Sequence, residues 1–67
     1  MRWKRFSTEK EKCYCGKGYR LDIMYTDDCY NIKFDCYTDC KECSNKYREY
    51  VLVNDIDKCY KEAISNE

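Results

Sequence analysis

The chain has 67 residues, no proline and no histidine, and thirteen basic side chains balance thirteen acidic ones. Its 43% hydrophobic content includes eight tyrosines and seven cysteines, so few aliphatic side chains remain and a core of that size needs a staple. Length and composition leave room for one domain, and no stretch is long or apolar enough to span a bilayer. The absence of histidine removes the usual general base, and we expect no enzyme.

Charge divides along the chain. Residues 1–20 carry seven basic and two acidic side chains, a net of +5, whereas residues 21–45 carry two basic and six acidic, a net of −4. The N-terminal segment is charged and lacks the apolar run of a signal peptide, from which a reducing, cytoplasmic setting is expected. An odd cysteine count also fits poorly with a closed set of intrachain disulfides.

In chain order, residues 1–11 read as an arm or an added strand. Cys13-Tyr14-Cys15-Gly16-Lys17-Gly18 then forms the first cysteine pair. From Tyr19 to Tyr25 the odd positions Tyr19, Leu21, Ile23 and Tyr25 are apolar or aromatic; from Cys29 to Cys36 the same alternation returns at Tyr30, Ile32, Phe34 and Cys36. A turn centred on Asp27 and Asp28 pairs Tyr25 with Tyr30, Ile23 with Ile32, Leu21 with Phe34 and Tyr19 with Cys36, so that both apolar faces coincide. Cys40-Lys41-Glu42-Cys43 is the second pair. Tyr50-Val51-Leu52-Val53 reads as a third strand. Asn54 as an N-cap and the spacing of Ile56, Cys59, Tyr60, Ala63 and Ile64 predict an amphipathic helix over 55–65.

The two cysteine pairs, separated by 24 residues that read as a hairpin, carry the chemistry. Four thiolates from two tight turns can enclose one zinc ion, leave it no open coordination position and so make it structural. The ligand set is Cys13, Cys15, Cys40 and Cys43, with Cys36 as the substitute; Cys29 and Cys59 read as incidental or buried thiols. This layout resembles a zinc ribbon over residues 12–53, departing from the usual Cys-x-x-Cys at the first pair. The resemblance implies a metal-stapled antiparallel hairpin with a third strand; with the C-terminal helix read from its own spacing and assigned to 54–67, the expected fold is a small α+β domain.

Two classes of function follow. The first is a protein-binding module that presents Tyr14, Tyr37, Tyr47 and Tyr50 beside an acidic surface of Asp22, Asp27, Asp28, Asp35 and Asp39, suited to a partner with a basic surface. The second is nucleic-acid binding through the basic and aromatic side chains of residues 2–20, as zinc ribbons of transcription and replication proteins do. A secreted disulfide-rich mini-protein is the third alternative. The size and composition resemble phage or mobile-element accessory proteins, and anti-CRISPR inhibitors in size and style; the resemblance implies an inhibitor or adaptor of host nucleic-acid-handling machinery, working in the host-cell cytoplasm.

Overall fold

The computed structural model describes residues 2–65. Four strands form one mixed sheet in chain order: β1 (Lys4–Lys12), β2 (Tyr19–Thr26), β3 (Ile32–Thr38) and β4 (Tyr50–Leu52). The first three run antiparallel to their neighbours, and β4 joins β3 in parallel. A short helix, α1 (Lys41–Lys46), makes the crossover between β3 and β4, and α2 (Ile56–Ser65) closes the described chain. The N-terminal segment is thus an added edge strand. It bulges between Arg5 and Ser7, which leaves Phe6 and Ser7 together opposite Met24.

The hairpin forms, but in a different register. Leu21 pairs with Tyr37 rather than Phe34, and Ile23 with Asp35 rather than Ile32. A shift of three residues is odd, so it moves the whole alternation of β3 to the other side of the sheet. The turn is the cause. Asp27 is buried at its start, and its Oδ1 accepts hydrogen bonds from the amides of Cys29 and Asn31, both at 2.9 Å, while Oδ2 accepts from the Asn31 side chain at 3.0 Å. These bonds hold open a wider loop than a two-residue turn, with Tyr30 in the left-handed region at φ 64° and 90% exposed. The Asn31 bonds, and the amide of Cys29, hold the Asp27 carboxyl below its ordinary range despite its burial.

The sheet therefore has two unlike faces. On one, Leu21, Ile23 and Ile56 are buried together, and Tyr25, Tyr37, Val53, Cys59, Tyr60 and Ala63 pack around them under α2. The inner-face reading of Cys59 holds. The other face carries Arg20, Asp22, Met24 and Thr26 from β2, opposite Thr38, Cys36, Phe34 and Ile32 from β3. Ile32 and Phe34, expected in the core, are each 57% exposed. Cys36 lies across from Asp22, not beside Tyr19.

Helix α2 begins one residue later than the sequence suggests. Its cap is Asp55, whose Oδ1 accepts from the Lys58 amide at 3.0 Å, not Asn54. An ion pair between Lys10 of β1 and Asp57 ties the first turn of α2 to the edge strand.

Candidate metal centre

Each cysteine pair is held by its own local structure. In the first, the Cys13 amide donates to the Gly18 carbonyl and the Gly16 amide to the Cys13 carbonyl, both at 2.9 Å. Gly16 sits at φ 77°, a conformation that a side chain would strain. In the second, Cys40 stands just before α1 and Cys43 lies within it, so the short helix brings both thiols to one side. The Ser44 amide donates to the Cys40 carbonyl at 3.0 Å.

Two residues dock the halves together. A Cβ on Gly18 would lie 2.5 Å from Asp39 Oδ1 and 3.1 Å from Cys40 Cβ, so only glycine permits this approach. Thr38 is fully buried; its hydroxyl donates to the Tyr19 carbonyl at 2.8 Å and accepts from the Cys40 amide at 3.1 Å. Across the exposed rim, Lys17 and Glu42 form a 2.7 Å ion pair.

Cys13, Cys15, Cys40 and Cys43 converge, with all four sulfurs within 4.8 Å of one another. Cys15 Sγ lies 3.2 Å from Cys13 Sγ, 3.1 Å from Cys40 Sγ and 3.6 Å from Cys43 Sγ. A tetrahedral ion with sulfur ligands at ~2.3 Å needs sulfur–sulfur separations of about 3.8 Å, close to this spacing. All seven cysteines are free thiols. Cys13, Cys40 and Cys43 are buried and Cys15 is exposed. The donor set therefore fits a metal ion that prefers thiolates, and zinc is the plausible one.

Electrostatics already favours a thiolate here. Burial works against charge on Cys13, but the Cys15 thiol and the Gly18 amide, 3.2 Å from its sulfur, outweigh it and hold Cys13 down at about 6. The neighbouring sulfurs, Cys40 first, push Cys15 up to about 12. A divalent cation attracts every thiolate and so displaces the protons of the thiols it binds.

The remaining cysteines are elsewhere. Cys36, the proposed substitute, stands across from Asp22 on β2, and burial followed by that carboxylate pushes it up to about 11. Cys29 is exposed in the turn.

Beside the sulfurs, Tyr14, Tyr47 and Tyr50 form an aromatic cluster with centroid separations of 4.7 Å for Tyr14–Tyr47 and 6.4 Å for the other two pairs. Tyr14 is 59% exposed, Tyr47 is half-buried and Tyr50 is buried. The Tyr50 hydroxyl donates to Asp22 at 3.0 Å, and the Arg20 guanidinium pairs with both Asp22 and Glu11 while covering the Tyr14 ring. The side chains read as one acidic and tyrosine-bearing surface are thus dispersed. Asp22 is tied to Arg20 and Tyr50, Asp27 is buried in the turn, and Asp39 accepts from the Tyr19 amide at 2.8 Å. Tyr37 packs under α2, and Asp35 lies opposite Ile23 on that same face. Asp28 is exposed at the loop.

Thr38 and the Arg20–Asp22–Tyr50 group have no local pattern in the sequence, because their partners come from distant segments. Gly18 lacks the left-handed backbone of Gly16, and nothing local in the sequence marks it as the contact point between the two halves. Comparison with protein-family models, curated proteins and solved structures found no match, so the zinc-ribbon and mobile-element resemblances rest on the residues alone. No described helix is long and apolar enough to cross a membrane.

Proposed function

We propose that this chain is a non-catalytic protein-binding domain stapled by one zinc ion on Cys13, Cys15, Cys40 and Cys43. The convergence of the four sulfurs carries the reading. Four thiolates complete a tetrahedron, so the ion would hold the two halves together and leave no position for a substrate or a water nucleophile. Its binding free energy becomes folding free energy, which a chain with so little aliphatic core requires.

Recognition is assigned to the tyrosines above the sulfurs. Tyr14 and Tyr47 border a cleft of about 170 Å³ with Cys15, Glu42, Cys43 and Lys46. A tyrosine buries a large apolar body and keeps a polar tip, which suits a protein interface. The nucleic-acid reading has less to draw on, because cations in residues 2–20 are engaged by carboxylates: Lys10 with Asp57, Lys17 with Glu42, and Arg20 with Asp22 and Glu11. An inhibitor or adaptor acting on a protein partner is the role proposed for such a module; the acidic surface that suggested a basic partner is dispersed.

Native mass spectrometry of protein purified without added metal tests the staple: one zinc and seven free thiols are expected. Three disulfides and no metal would replace this reading by the secreted mini-protein. Fluorescence anisotropy with a labelled random-sequence DNA duplex tests the partner class. No binding near physiological salt is expected, whereas binding that weakens steeply as salt rises would install the nucleic-acid reading instead.

A further inference from the structure

The face of the sheet opposite α2 is only half covered. At its metal end Tyr50 is hydrogen-bonded to Asp22, and Tyr14 lies under Arg20. Beyond them, Ile32 and Phe34 are each 57% exposed beside half-buried Met24, and Phe6, next to Ser7 opposite Met24, is 51% exposed. Contiguous exposed apolar side chains of this kind mark an interaction surface rather than scattered surface residues.

Charge around the patch identifies what covers it. Three rows of side chains cross this face. The central row is Phe6 and Ser7, Met24 and Phe34; the row toward the turn is Lys4, Thr26 and Ile32; the row toward the metal is Glu9, Asp22 and Cys36. Lys4 and Glu9 therefore stand one row to either side of the apolar centre, on the same strand. Both are exposed, and neither takes part in an ion pair among the described residues. A uniformly basic or acidic partner would meet one like charge whichever way it docked. A second copy of this chain, turned by a two-fold axis along the central row, would meet none.

We propose that the open half of this face seats a second copy of the chain, as a two-fold dimer with the sheets packed face to face. In that arrangement β1 lies over β1 and β3 over β3 with strand directions reversed. Phe34 meets Phe34 and Met24 meets Met24; each Lys4 faces the other copy's Glu9, and each Ile32 the other copy's Cys36. Sheets pack about 10 Å apart at roughly −30°, so this row order survives the twist. A standard interface takes ~800 Å² from each partner, about one-sixth of the 5113 Å² surface of the chain. The half-face is smaller than the whole 37 × 23 Å outline of the molecule, so a dissociation constant on the order of micromolar is expected. The dimer requires the folded sheet, and with it whatever staples the sulfurs, but not the Tyr14–Tyr47 surface.

Sedimentation equilibrium of the full chain, from about 1 µM to about 500 µM, tests it. The expected result is a reversible monomer–dimer equilibrium. Phe34→Glu, a change at an already exposed position, should raise the dissociation constant at least ~100-fold with the far-UV circular dichroism unchanged. Lys4→Glu and Glu9→Lys should each raise it about tenfold, and the double variant should return it to within about threefold of the parent. A monomer throughout the range overturns the proposal, including one whose patch captures a different protein. A dimer indifferent to Phe34→Glu, or a double variant no better than the singles, overturns it as well.

Discussion

Around the sulfurs, Cys13, Cys40 and Cys43 are buried with Tyr47 against them; under α2, the buried set is Leu21, Ile23 and Ile56. The two cores are equal in number of buried residues and unequal in what they can supply. Burying one Leu or Ile contributes about 1.5–3 kcal/mol, while ordering the backbone of each residue costs about 1–2 kcal/mol. Three aliphatics cannot hold a sheet of this length by themselves. Four thiolates on a zinc ion bring ~10–16 kcal/mol, as structural zinc does in other small domains. The apolar core selects which face of the sheet points inward; on the proposed zinc reading, the sulfur core would decide whether the chain folds at all.

The sharpest way to break this division is to remove one sulfur. Cys13→Ser or Cys43→Ser should abolish the fold at neutral pH, read as loss of near-UV circular dichroism and of bound metal together, and a chelator should do the same to the parent. Cys59→Ser, in the other core, should cost less than about 2 kcal/mol in urea denaturation, because a small hydrophobe is exchanged for a slightly smaller polar group. Equal damage from Cys13→Ser and Cys59→Ser would erase the distinction between the cores.

Leu21→Ala comes next. The side chain is fully buried, so about 2–5 kcal/mol should be lost in a metal-saturated melt, with metal stoichiometry unchanged. A loss of metal in the folded variant would show that the two cores are one cooperative unit. Asp55→Ala removes the cap of α2 and should cost about 1 kcal/mol, again with metal retained.

The smallest expected effect concerns pH. Asp27 has a native value below that of an unfolded chain, held down by Asn31 first. Its contribution is therefore complete above the ordinary carboxylate range and drains away as pH falls through the lowered native value. Asp27→Asn should flatten this part of the acid limb of a urea midpoint-versus-pH curve, leaving the steeper loss that accompanies protonation of the thiolates. An unchanged acid limb would remove Asp27 from the account of the turn.

Much of this organisation was legible locally. The cysteine spacing named the four sulfurs that converge, and alternation located the strands of the hairpin. The spacing from Ile56 to Ile64 located the helix, with Cys59 on its inner side. What failed was the pairing. Tyr30, Ile32 and Phe34 alternate as convincingly as Leu21 and Ile23, so a turn that aligned the two apolar sets looked self-consistent. The Asp27 hydrogen bonds widened that turn, and Tyr37, beyond the expected end of the strand, took the place across from Leu21. Alternation reports that one side of a strand is apolar, without saying whether that side is covered.

By itself, then, the sequence determined the strands from Tyr19 onward, the C-terminal helix and the four thiols that converge, because strand period, helix spacing and thiol chemistry act over a few residues. The helix between Cys40 and Tyr47 was not legible. The tertiary structure decided which strand face is inside, that β4 lies parallel to β3, that β1 forms an edge, and that Asp22, Asp27 and Asp39 serve the fold. Each of those depends on a hydrogen-bonded turn or a contact between segments far apart in the chain, and such contacts carry no signature in the order of the residues.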